Sequence, residues 1–123
     1  MPFGHVRDPQ AMAQRALSGV GTTQSPYFGI ADGLDWVSIV VALTAITGTG
    51  CTLDLSLQWS MDGGTTWADC DTSATDTFTQ FTLAGGAKAV VKRFNVKAPL
   101  FRFKEVLAGT SPTATYTATV EYR

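Results

Sequence analysis

From Cys51 to Ser60 apolar and polar residues alternate: Leu53, Leu55, Leu57 and Trp59 against Asp54, Ser56, Gln58 and Ser60. A period of two places the first set on one face of a β-strand. Asp62-Gly63-Gly64 then reads as a tight turn and Thr65 to Trp67 as a second extended run, which together predict a β-hairpin. The same alternation recurs along the chain. Val37, Ile39, Val41 and Leu43 alternate with Ser38, Val40, Ala42 and Thr44. Both of those sets are largely apolar, so this strand is expected to be covered on both faces. Thr47-Gly48-Thr49-Gly50 breaks it. Thr77 to Leu83 predicts another strand, closed by Gly85-Gly86, and Lys88 to Lys97 a further one, punctuated by Pro99. Leu100 to Leu107 sets Phe101 and Phe103 against Arg102 and Lys104; Ala108 to Pro112 reads as a turn. Thr113 to Tyr122 closes the chain, with Ala114, Tyr116, Ala118, Val120 and Tyr122 on one face and threonines and Glu121 on the other. About seven to eight strands at roughly 10-residue spacing are the signature of an antiparallel sandwich or barrel. The expected fold is all-β, an Ig-like or jelly-roll-like antiparallel β-sandwich over 35–123.

Residues 1–34 carry Pro2, Pro9, Pro26 and several glycines without strand alternation. They predict an extended N-terminal arm with one short helix: Asp8 as N-cap, Pro9 as first helical residue, Gly19 as stop. Met12, Ala13, Ala16 and Leu17 would then share a face. A helix of about ten residues is marginal alone and needs a surface to pack on.

The 123 residues fit one domain, long enough to bury a core without a metal or disulfide staple. Charged residues make up 15 %, below the usual share of about 25 %, and the net charge is −1. That balance gives no whole-domain attraction to nucleic acid or to an anionic membrane. Lys88, Lys92, Arg93, Lys97, Arg102 and Lys104 cluster late in the chain, either as a solvated strand face or as a patch for an acidic partner. Cys51 and Cys70 sit in no CxxC or Cys/His array, which speaks against zinc. A turn at Asp62-Gly63 puts Cys70 opposite about Ser56, too far from Cys51 for a bridge, so two buried free thiols are expected. No signal-peptide pattern opens the chain and no run reaches the length of a membrane span, so a protein made and used without secretion is expected.

Ser60-Met61-Asp62-Gly63-Gly64-Thr65-Thr66-Trp67 resembles the Asp-box, S/T-x-D-x-G-x-T-W/F. Asp62 would accept backbone N–H groups, Ser60 and Thr66 would tie the two sides, Gly64 would supply an open backbone, and Trp67 would cover the turn. Such boxes are structural and lie away from catalysis in the β-proteins that carry them. Trp36, Trp59 and Trp67 suggest either core or a carbohydrate-stacking platform, with Trp59 continuing the leucine face. Asp69, Asp71 and Asp76 do not match EF-hand spacing and read as a polar loop. The lone histidine, His5, lies in the arm, and no nucleophile–base array or phosphate-cradling glycine motif accompanies it. No catalysis, metal or cofactor is expected.

VSIVVALTAITGTG, LQWSMDGGTTW, the FTQFTL run and VKAPLFRFKEVLAGTSPTATYTATVEY together give residues 36–122 a texture that resembles small β-sandwich proteins of tailed bacteriophages. The resemblance implies a virion structural protein, foremost a capsid decoration or cement protein that binds the major capsid protein and forms homo-oligomers, possible trimers among them. It implies a virion location after assembly in the host cytoplasm, and with the charge balance above no nucleic-acid or membrane partner is expected. A tail or head–tail component and a carbohydrate-binding module are the alternatives. On this reading the arm becomes ordered against a neighbour and buries Phe3, Met12, Leu17, Tyr27 and Phe28 there.

Overall fold

The protein is all-β, with antiparallel pairing throughout its sheet. A computed structural model describes residues 10–30, 34–71 and 73–122. Its strands are β1 (Gln10–Ala11), β2 (Arg15–Ser18), β3 (Gly21–Gln24), β4 (Phe28–Gly29), β5 (Trp36–Ser60), β6 (Ala68–Asp69), β7 (Phe81–Thr82), β8 (Lys88–Asn95) and β9 (Leu100–Tyr122). Among the described residues one 3-10 turn, Ser73–Asp76, interrupts them.

Two long strands carry the architecture. β5 runs 25 residues and β9 runs 23, and they pair antiparallel from Val37↔Tyr122 to Ser60↔Leu100. Midway both bend. Register shifts between Leu43 and Ala45, Thr47 and Thr49, and Thr49 and Thr52 mark β-bulges there. The inward residues of β9 change parity across the bend, from Phe101, Phe103, Glu105 and Leu107 to Ala114, Tyr116, Ala118 and Val120. The Phe103 and Tyr116 rings meet edge-on with centroids 6.1 Å apart. On a straight strand those two positions would lie about 40 Å apart. The sheet therefore doubles over, and its two halves, 36–47 with 113–122 and 52–60 with 100–108, face each other across one core. Val37, Ile39, Val41, Leu53, Leu55, Leu57, Phe94 and Phe101 fill that core, and Phe78 bridges Phe94 and Phe103.

Glycine makes the bend possible. Gly48 has φ +108°, and a Cβ built on it would lie 2.7 Å from the Ser111 carbonyl oxygen and 2.8 Å from the Pro112 Cα. Gly109 has φ +123°, and its Cβ would lie 2.9 Å from the Cys51 Cα. Backbone presses on backbone at both corners, leaving no room for a side chain.

Thr47–Gly50 and Ala108–Pro112, expected to end strands, are thus bends within continuous strands. Several other expectations are corrected. The helix from Pro9 to Ser18 is absent where residues are described, Asp8 and Pro9 themselves lying outside them. β1 and β2 occupy that segment and pair with Val120, Thr119 and residues 113–116 of β9. The exposed edge of β9 offers a row of backbone partners, and a ladder on that edge outcompetes a marginal ten-residue helix. Met12 is buried and Leu17 packs against the core, while Ala13 and Ala16 are exposed, so these four do not share a face. Around the bend β3 and β4 pair with residues 104–107 and 100–101. The described part of the arm, expected to need a neighbour, forms β1 to β4 along the edge of its own sheet.

The strand over 36–43 is covered on one face only, since Val40 is 41 % exposed. Of Thr77–Leu83, only Phe81–Thr82 forms a strand, Thr77 making an isolated bridge to Ser56. The partner of the leucine strand in the hairpin is Ala68–Asp69 rather than Thr65–Trp67. Both cysteines are free, as expected, but only Cys51 is buried; Cys70 is half-buried. Extending the Gln58↔Asp69 register puts Cys70 opposite Leu57, one step from the expected Ser56.

Candidate functional site

Three constellations and one surface stand out. The first is the turn after β5. Asp62 Oδ1 accepts the Thr66 and Thr65 amides at 2.8 and 3.1 Å and the Ser60 hydroxyl at 2.9 Å. The Gly64 amide donates to Ser60 Oγ at 2.9 Å, and the Trp67 indole N–H donates to the Gly64 carbonyl at 2.9 Å. Ser60, Asp62, Gly64, Thr66 and Trp67 thus close the loop as the sequence predicted. The hydrogen bonds of the Thr66 backbone, the Thr66 hydroxyl and the Ser60 hydroxyl hold the Asp62 carboxyl down to about 2 from an ordinary 3.8. A depressed carboxyl stabilises the fold above its unfolded value, and that contribution is lost as pH falls through its folded value. A carboxyl-carbon NMR titration is expected to place the Asp62 midpoint near 2; a midpoint at 3.8 would contradict the network.

The second is a buried carboxylate that joins the arm to the body. Glu105 is 0 % exposed. Arg15 grips it with two bonds, Nε to Oε2 at 2.9 Å and Nη2 to Oε1 at 2.7 Å. The Thr23 hydroxyl donates to Oε1 at 2.8 Å, and the Tyr116 hydroxyl donates to Oε2. Burial acts to raise the Glu105 carboxyl, but the bonds from Arg15, Tyr116 and Thr23 outweigh it, and the net shift is downward. Burial, and then the charge of Glu105, push the Tyr116 hydroxyl far above its usual range, so it stays a donor.

The third is Asp76, 1 % exposed, which accepts the Trp59 indole N–H at 2.6 Å and the Lys97 ammonium at 2.9 Å. Both carboxylates are spent on partners within the fold. Among the described residues no buried side-chain polar atom lacks a hydrogen bond, and no group of three His, Cys, Asp or Glu could hold a metal. No helix among them is long and apolar enough to cross a membrane.

The surface lies on the outward side of the first sheet half. The Val40↔Val91 pair is 41 % and 68 % exposed and is flanked by Thr119 of β9. The next rung is Ala89, Ala42 and Thr117. Both rungs are uncharged. β8 has β5 as its one strand partner among the described residues, and Lys88 and Lys92 point inward from it, over the Phe81 and Phe94 rings. Inward lysines guard an edge strand against pairing with another chain, which leaves the face rather than the edge for contact.

Of the arm residues expected to meet a partner, Met12 and Phe28 are in the chain's own core and Leu17 packs against it. Met12 and Phe28 cannot also anchor another protein while the arm is in place. Tyr27 is 57 % exposed, and Phe3 lies outside the described residues, as does His5. Trp59 is core, whereas Trp36 and Trp67 are half-buried under the guanidinium groups of Arg93 and Arg102, at 4.0 and 4.4 Å. Asp69 pairs with Gln58 and Lys104, and Asp71 is exposed. Glu105 was the residue to find from sequence: it continues the inward parity of Phe101 and Phe103. Arg15 carried no such signal, because its segment reads as helix.

No protein-family model matches the chain, and no curated protein or solved structure shows significant similarity to it. The class reached on the fold alone is a doubled-over antiparallel β-protein.

Proposed function

We propose that this chain is a structural protein of a bacteriophage virion, of the capsid decoration or cement kind, which binds the major capsid protein shell and further copies of itself without catalysis. The observation that carries docking is the pair of uncharged outward rungs at Val91, Val40 and Thr119 and at Ala89, Ala42 and Thr117, bordered on one side by Arg93 and Glu121. The phage assignment itself rests on the resemblance of residues 36–122. The two facing sheet halves serve, on this reading, as a sandwich-like body stiff enough to brace a shell. Many copies on a symmetric lattice then gain avidity from individually weak contacts. A tail or head–tail component of the same build is the second reading, favoured by the same face.

The test is addition of the purified protein to shells that lack it. The Val40→Lys/Val91→Lys pair is expected to lower shell affinity at least about tenfold while leaving stability within about 0.5 kcal/mol per site, as exposed substitutions do. Undiminished binding by that variant would remove the face from the interaction. Occupancy separates the readings, roughly hundreds of copies for decoration against about six or twelve for a ring.

A further inference from the structure

The outward side of the second sheet half carries a different surface. Gln58 of β5 sits in register with Arg102 of β9 on one side and Asp69 of β6 on the other. Arg102 Nε donates to Gln58 Oε1 at 2.9 Å, and Gln58 Nε2 donates to Asp69 Oδ1 at 3.1 Å. Lys104, on the same face of β9, donates to Asp69 Oδ2 at 3.3 Å. Each side chain fixes the next, so donors and acceptors alternate at set positions across three strands. The Gln58 hydrogen bond, then Lys104, holds the Asp69 carboxyl below its usual range, so it remains an ionised acceptor. Its side chain is 52 % exposed and Lys104 is 32 % exposed, so both keep capacity for a ligand.

An aromatic pair borders this row. Arg102 lies over the Trp67 ring, and Tyr27 packs against Trp67 with centroids 5.8 Å apart and planes tilted by 42°. Among the described residues Tyr27 is the one aromatic of the large hydrophobic side chains that are exposed. Trp67 is held by its own hydrogen bond to Gly64 and by Arg102, so Tyr27 offers the open ring.

We infer that this platform binds a glycan, with the C–H face of a sugar ring on Tyr27 and its hydroxyls on Arg102, Gln58, Asp69 and Lys104. A sugar ring has an apolar face and an edge of hydroxyls that each both donate and accept, and an aromatic ring beside a fixed donor–acceptor row matches both. Two inter-strand steps of about 4.8 Å make the polar row about 10 Å long, and the aromatic pair beside it extends the platform, which suits a short oligosaccharide better than a single sugar. A protein partner fits less well, because hot spots form where apolar anchors enter water-excluding pockets, and this surface is mostly polar.

The inference is independent of shell docking, which uses the opposite half. The test is titration of the full chain with neutral, N-acetylated and uronic-acid oligosaccharides at millimolar concentration, followed by NMR. The expected result is saturable movement of the Trp67 indole and Arg102 signals with at least one of them, with Kd about 0.1–1 mM. Tyr27→Ala is expected to weaken that binding about tenfold and Gln58→Ala severalfold, with shell binding unchanged; Val91→Lys should leave sugar binding intact. Silence of those signals across the whole panel would overturn the inference. So would binding that survives Tyr27→Ala, or a protein partner lost in Tyr27→Ala while no sugar moves the spectrum.

Discussion

Gly109→Ala is expected to destabilise the protein by about 4 kcal/mol, a large part of the roughly 5–15 kcal/mol that holds a domain of this size. Two costs combine. The residue has φ +123°, where an L side chain is strained by about 1–3 kcal/mol. The new methyl would also sit 2.9 Å from the Cys51 Cα and 3.0 Å from the Thr49 carbonyl oxygen, both backbone atoms that cannot rotate away. Relief requires the two long strands to part at their bend, which adds about 1–3 kcal/mol of overpacking. Gly48→Ala is expected to behave alike, for the same reason. Gly50 is the control: its φ is +63°, but nothing lies within 4 Å of a built Cβ. Gly50→Ala should lose only the left-handed penalty of about 1–2 kcal/mol. Urea unfolding of the three variants separates strain from clash. If Gly109→Ala is no worse than Gly50→Ala, the backbones are not in contact at the bend.

The same corner shows how much of the fold was legible. Alternation placed extended chain at 36–43, 51–60, 88–95, 100–107 and 113–122, because one-sided burial writes a period of two directly into residue choice, but the apolar outward residues Val40 and Ala42 hid which face of 36–43 is inward. Leu53, Leu55, Leu57 and Trp59 are buried as read, and the Asp62 loop closes through the atoms named for it. Glycine clusters read as strand ends because local composition cannot distinguish a turn from a bend shared by two paired strands. That distinction depends on Gly48 and Gly109 each meeting backbone sixty or so residues away. The arm departs from its sequence pattern for a related reason. Met12, Ala13, Ala16 and Leu17 have helical spacing, and only the open edge of β9, distant in sequence, makes a strand the better solution. Surface chemistry was the least visible, since Tyr27, Gln58 and Asp69 come together only through the register of four strands.

Arg15→Ala is expected to lose about 3 kcal/mol at pH 7, because it leaves Glu105 ionised and unpaired at a site with no solvent exposure. The estimate sits at the low end of the range for breaking a buried pair, as the Arg15 side chain keeps 26 % of its surface in water. Glu105→Gln should cost less, about 2 kcal/mol, since the amide oxygen still accepts and the released guanidinium can reach solvent. The double variant is expected to be less destabilised than the sum of the two singles by more than about 1 kcal/mol. Acid distinguishes the pair from mere packing. In the parent, Glu105 titrates below its ordinary 4.5, so its contribution is present above that value and lost as pH falls through the folded value. In Arg15→Ala the largest opposing bond is gone and burial dominates, which turns the shift upward. Its deficit relative to the parent should therefore shrink on acidification from pH 7 to about pH 4. A deficit that stays constant with pH would mean that Arg15 acts through its aliphatic stem alone. If the deficit does shrink, the arm is bound to the body by charge as well as by its ladder. Truncation at residue 25 would then remove Arg15 and Thr23 from a buried carboxylate, so a loss of shell binding after truncation would report unfolding rather than a missing contact.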